Sequence, residues 1–181
     1  VVGFDYKGYG CEKYKIPPLS SCEDGVRFAE MCRAAGAEVV EYYDRKDLKR
    51  VGFPTKAAIL EHWRVVGEKM HANDVFVFFF AGHGALQKAK APEEDGETQD
   101  ESMCFVEPDG KPNFWRDDDV AKMIYKDFHP DAHLLFVTDC CHSGTICDLS
   151  RKILTGRPIL HLAAVKDDQC AQDLGDSGAF T

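Results

Sequence analysis

No stretch of this sequence is apolar for long enough to cross a bilayer. The longest such run, residues 75–81, falls far short of the ~20 residues a membrane helix needs. A secretion signal is missing too: the chain opens Val1-Val2-Gly3, with no initiator Met and no basic segment leading into an apolar core. Together with the abrupt end at Gly178-Ala179-Phe180-Thr181, this creates the expectation of a processed or trimmed fragment. Basic excess is lacking, since 22 Lys and Arg against 31 Asp and Glu leave a formal net charge of −9. A polyanion needs a basic patch, so nucleic acid is disfavoured; cations suit the chain better, whether metal ions or Lys/Arg-rich peptides. No Cys-x-x-Cys pair occurs, and Cys140, Cys141 and His142, being consecutive, make poor tetrahedral geometry. Zinc is thereby disfavoured. Internal repeats and a dividing linker are absent, so one domain over residues 1–181 is expected.

What is present is a globular balance of 44% hydrophobic and 29% charged residues over 181 positions. A chain of that length buries roughly two-thirds of its unfolded surface and needs no disulfide scaffold. The eight cysteines lie mostly inside apolar segments, which reads as reduced thiols in a cytoplasmic protein. Hydrophobic period alternates between strand and helix along the chain. Residues 20–35 read as a helix, capped by Ser20 or Ser21 and stopped by Gly36; residues 55–71 read as a second, capped by Thr55. A third spans 117–128, with acidic residues in its first turn. Strands are expected at 1–4, 39–43, 75–80, 103–106, 133–138 and 159–165, and residues 85–101 as a polar surface loop. The consecutive apolar residues of 75–80 suit a central parallel strand covered on both faces, and 133–138 reads as another buried strand. The fold class is therefore α/β with a mostly parallel sheet.

In such sheets functional residues gather beyond the carboxyl ends of the strands. Two of those ends carry Ala81-Gly82-His83-Gly84 and Asp139-Cys140-Cys141-His142-Ser143-Gly144. Neighbouring strands lie about 4.8 Å apart, so His83 and Cys141 can face one cleft. A cysteine nucleophile needs a base or a depressed pKa, and histidine supplies either. The amides of Gly84 and Cys141 are candidates for an oxyanion hole. The plainer alternatives are a strand-end histidine bonded to a backbone carbonyl and a small buried thiol.

Phe80-Ala81-Gly82-His83-Gly84 and Asp139-Cys140-Cys141-His142-Ser143-Gly144 resemble the two catalytic motifs of metacaspases, and the likeness continues to Lys166-Asp167-Asp168-Gln169. The resemblance implies a caspase-like three-layer α/β/α sandwich, large-subunit-like over about 1–155 and small-subunit-like over about 156–181. It implies Cys141 as nucleophile, His83 as its partner, and cleavage after Arg or Lys. Asp139 stands where the family pairs a carboxylate with the substrate's cation, a charge-assisted contact. A second pocket acid belongs in a Cys-x-x-Asp pattern, but Cys22-Glu23-Asp24-Gly25 places glycine there and Asp24 one residue earlier. Ala81 likewise replaces a common Ser. By the same resemblance Asp100, Asp117, Asp118 and Asp148 fall at calcium-ligand positions, and carboxylates suit that hard cation. Self-cleavage would have Lys88, Lys90, Arg151, Lys152 and Arg157 as candidates. Expected partners are peptides with Arg or Lys before the cut bond and a separate C-terminal small-subunit chain, with the chain itself monomeric. The rival readings are a catalytically silent caspase-like scaffold, a structural metal-binding domain and a calcium-independent peptidase.

Overall fold

The computed structural model describes residues 1–89, 98–172 and 178–180. In chain order the elements are β1 (Val2–Gly3), α1 (Ser21–Ala34), β2 (Tyr42–Tyr43), α2 (Lys56–Gly67), β3 (Val75–Ala81), β4 (Gly84–Lys88), β5 (Gln99–Val106), β6 (Pro112–Arg116), α3 (Asp117–Asp127), β7 (His133–Asp139) and β8 (Ile159–Ala163). Five strands form one sheet in the order β2-β1-β3-β7-β8, and every neighbouring pair is parallel.

Period two explains why β3 is apolar at consecutive positions. Phe78 and Phe80 join the larger core with Trp63 of α2, Phe136 of β7 and Ile124 of α3. Phe79 and Ala81 face the other way, where Phe28 of α1 stacks on Phe79 with ring centroids 4.4 Å apart. Helix α1 therefore covers one face and α2 with α3 the other, giving the three layers anticipated. Trp63 holds the thicker side together, with ring centroids 4.7 to 5.7 Å from Phe76, Phe78, Trp115, Phe128 and Phe136.

Local signals set the helix ends. The Thr55 hydroxyl accepts the Ala58 amide at 3.1 Å and starts α2. After α1, Gly36 takes φ +87°, a left-handed conformation that glycine adopts without strain. The α2 and α3 termini meet closely: a Cβ on Gly67 would sit 2.1 Å from the Asp127 carbonyl oxygen.

The expected loop at 85–101 is overturned at both ends. β4, β5 and β6 form a second, antiparallel sheet, with Gly84 opposite Met103 and Lys88 opposite Gln99. β5 begins four residues before the expected 103, and β6 was not anticipated at all. Polar residues hide these strands from hydrophobic pattern because partners satisfy them in the fold. Asp100 pairs with Arg116, the Ser102 hydroxyl donates to the Ala85 carbonyl at 2.8 Å, and Glu101 accepts the Thr145 hydroxyl at 2.9 Å. β2 and β8 are shorter than the spans 39–43 and 159–165 that were expected.

Candidate active site

β3 and β7 run in register to their last residues, Ala81 opposite Asp139, and the Gly82 amide donates to the Asp139 carbonyl at 3.1 Å. His83 and Cys141 thus leave the sheet from corresponding positions. Gly84 then rides against the loop that carries Cys141, where a Cβ would stand 1.8 Å from the Cys141 carbonyl oxygen. The Cys104 amide donates to the His83 carbonyl at 2.9 Å, which makes 83 and 104 a hydrogen-bonded pair. The next pair, Gly84 and Met103, is then a non-hydrogen-bonded one, so the Gly84 amide points away from β5.

His83 is held by two contacts of its imidazole and one of its backbone amide. Its Nε2 lies 2.8 Å from the Pro17 carbonyl oxygen, its ring packs on Tyr6 at 4.7 Å between centroids, and its amide donates to the Tyr6 hydroxyl at 2.9 Å. A carbonyl only accepts, so Nε2 carries the proton and Nδ1 is the basic nitrogen. The Tyr6 hydroxyl in turn donates to the Cys104 carbonyl at 2.7 Å. Tyr6 itself takes φ +55°, and Asp44 secures that turn by accepting the Asp5 and Tyr6 amides at 2.9 and 2.7 Å.

Cys141 is half-buried, and its thiol lies 4.0 Å from the Ala171 carbonyl oxygen. Burial first, then a hydrogen bond with the Cys170 side chain, pushes the Cys141 thiol up from its ordinary value. The segment after β8 is fastened along this loop. The His142 amide donates to the Gln169 carbonyl at 3.0 Å, and the Thr145 amide to Asp167 Oδ1 at 2.7 Å. Lys166-Asp167-Asp168-Gln169 therefore lies along the Cys141 loop in space.

Asp24 and Asp139 are both buried and converge on Gly178. The Gly178 amide donates to Asp24 Oδ2 at 2.9 Å, and a Cβ on Gly178 would lie 2.4 Å from Asp139 Oδ2. Position 25 has no room for a side chain, since a Cβ there would meet the Tyr43 ring at 2.6 Å. The one-residue shift from the expected pattern still brings an acid to the Asp139 side of the sheet.

The four expected calcium ligands gather at one corner, but three are turned toward cations of the chain itself and the fourth, Asp117, toward backbone amides. Arg116 pairs with Asp100, and Arg151 bridges Asp118 and Asp148. Asp117 accepts the Glu101 and Asp118 amides at 3.1 and 2.6 Å, and burial pushes its carboxyl up to about 8. Among the described residues no three His, Cys, Asp or Glu side chains stand ready as a metal-holding group.

Of the candidate self-cleavage positions, Lys90 lies outside the described residues. Arg157 is not a solvated loop residue, because its guanidinium caps α3 by donating to the Ile124 and Phe128 carbonyls at 2.6 and 2.8 Å. Arg151 is held in the acidic corner, Lys88 ends β4 and Lys152 opens a short 3₁₀ turn. The roles of Tyr6 and Pro17 escaped sequence reasoning, since a backbone carbonyl and a ring contact carry no motif. Cys170, placed just beyond the Lys166–Gln169 motif, was the one missed residue that proximity to that motif could have flagged.

The chain matches the family model described as metacaspase, peptidase C14 domain, over residues 1–150. Among curated proteins it is 33% identical over 114 residues to "Inactive metacaspase-4" of Trypanosoma brucei brucei, covering 62% of this chain and 31% of that protein. It is 37% identical over 99 residues to "Metacaspase-3" of Arabidopsis thaliana, covering 53% and 26%. The chain thus spans about a third or less of these relatives. A crystal structure of protein GSU0716 from Geobacter sulfurreducens shares the fold, with TM-score 0.72 and 19% identity over 99% of this chain and 76% of that one.

Proposed function

This chain belongs to the metacaspase family of C14 cysteine peptidases, and from that premise we propose that it is an endopeptidase cutting after Arg or Lys. The observation that carries the reading is His83 and Cys141 leaving paired strands side by side, with Pro17 holding the imidazole. Nδ1 of His83 takes the Cys141 proton, the thiolate attacks the scissile carbonyl, and the amides of Gly84 and Cys141 hold the oxyanion. Protonated His83 then donates to the leaving amine, and water hydrolyses the acyl-enzyme. Preference for Arg or Lys is supported by Asp24 and Asp139 flanking Gly178, two buried carboxylates suited to a substrate cation.

Calcium is part of the same proposal. Asp100, Asp117, Asp118 and Asp148 offer the hard oxygens it takes, and would hold it once Arg116 and Arg151 swing aside. Bound there, calcium would neutralise like charges and order the acidic corner.

The second reading is a silent caspase-like scaffold. It draws support from the raised Cys141 thiol and from a relative named inactive. Fluorogenic peptides ending in Arg, Lys or Asp, with and without millimolar calcium, separate the two. Calcium-dependent cleavage after Arg or Lys that disappears in Cys141→Ala is the expected result. A folded protein that cleaves none of them would favour the scaffold.

A further inference from the structure

Two cysteines are brought together at the mouth of this site. Cys170 is the exposed cysteine among the eight, and it stands beside the half-buried Cys141, whose Sγ lies 4.0 Å from the carbonyl oxygen of the next residue, Ala171. The neighbouring segment is fastened here, because the Gln169 carbonyl accepts the His142 amide and Asp167 Oδ1 accepts the Thr145 amide, both just after Cys141. A shallow open groove of ≈ 440 Å³ runs past Cys170, lined also by Val165, Gln169, Gln172 and Ala179, so solvent and small solutes reach Cys170, and Cys141 beside it is only half-buried. No other cysteine is as well placed. Cys140 belongs to the packed core, and adjacent residues have Cα atoms only about 3.8 Å apart, below the usual disulfide span. Cys11, Cys22, Cys104 and Cys147 are buried.

Taking Cys141 as the reactive thiol from the reading above, we propose that Cys170 is its resolving partner, so that peroxide converts the pair into a reversible disulfide. The Cys141 thiolate attacks hydrogen peroxide, the O–O bond breaks, and sulfenic acid forms with release of hydroxide; sulfur gives up two electrons to the peroxide oxygen. The Cys170 sulfur then attacks the sulfenic sulfur. The S–S bond forms, the S–O bond breaks, and the oxygen departs as water with the Cys170 proton. Closing the disulfide protects Cys141 from sulfinic and sulfonic acids, which thiols do not reverse. It also occupies the nucleophile while it lasts.

The test treats the full chain with hydrogen peroxide, blocks remaining thiols, and maps tryptic peptides without reduction. The expected product links the peptide 127–151 to the one beginning at Asp167, and dithiothreitol releases it. The link persists in Cys140→Ala. In Cys170→Ser no link forms, dimedone traps the Cys141 sulfenic acid, and sustained exposure yields sulfinic acid that dithiothreitol leaves unchanged. Finding in the wild-type protein a Cys140–Cys141 bond, or dimedone labelling of Cys141 equal to that of Cys170→Ser, would overturn the inference. Because the mapping reads mass and not turnover, a link formed by a protein that cleaves no peptide would count against the peptidase reading alone.

Discussion

Around Cys141 two neighbours would pull the thiol proton in opposite directions. Under the proposed peptidase reading His83 would take that proton, while burial and Cys170 favour keeping it on sulfur. Removing one of those raising causes has a definite sign. In Cys170→Ala the Cys141 thiol should titrate at lower pH, so iodoacetamide should alkylate it faster at neutral pH than in the parent protein; an unchanged rate–pH profile would refute this. Gly84 is the other sensitive residue here. Its missing side chain is what lets the backbone pass the Cys141 carbonyl. Gly84→Ala must push the two strand ends apart by an ångström or more, and displacements of that size cost on the order of 10²-fold in rate. A loss of about that size in kcat/KM, with the circular dichroism of a folded protein, is expected.

At the scale of elements, β7 and β8 are joined by more than their ladder. His161 on β8 places Nε2 2.8 Å from the Thr138 hydroxyl on β7, and burial lowers its pKa to about 4. The folded value lies below the ordinary 6.5, so the unfolded chain binds the proton more readily. Stability from neutral His161 is therefore complete above pH 6.5 and is lost as pH falls toward 4. The shift corresponds to at most roughly 3 kcal/mol. Urea titrations of wild type and His161→Gln should differ in slope against pH across that window; parallel curves would sink the assignment. The second sheet illustrates the limits of pattern at this scale. β5 carries Asp100, Glu101 and Ser102 as buried residues, and only their partners Arg116, Thr145 and Ala85, distant in sequence, make a strand of them.

For the molecule as a whole, the heavier side of the sandwich depends on Trp63 and the five aromatic rings around it. Trp63→Ala should cost about 3–5 kcal/mol, a large share of the 5–15 kcal/mol that stabilises most domains. Thermal unfolding should show a drop of many degrees, and retention of the parent midpoint would mean that the cluster is dispensable. The same core brings α2, α3, β3 and β7 together, so its loss should also loosen the strand ends that carry His83 and Cys141.

The central strands and the two motifs were legible from local pattern. A strand buried on both faces must be apolar at consecutive positions, and the run from Asp139 to Gly144 around Cys141 is a short, contiguous signal. The same held for the Thr55 cap and the Gly36 stop, whose physics is confined to one turn. What tertiary structure decided were relations between distant residues. The Pro17 carbonyl on His83, Asp24 beside Asp139 across Gly178, Arg151 between Asp118 and Asp148, and Cys170 against Cys141 are each made by segments that meet only after packing. Local propensity extends over a few residues, whereas these contacts depend on which strand lies next to which, and that order is set by burial of the aromatic core.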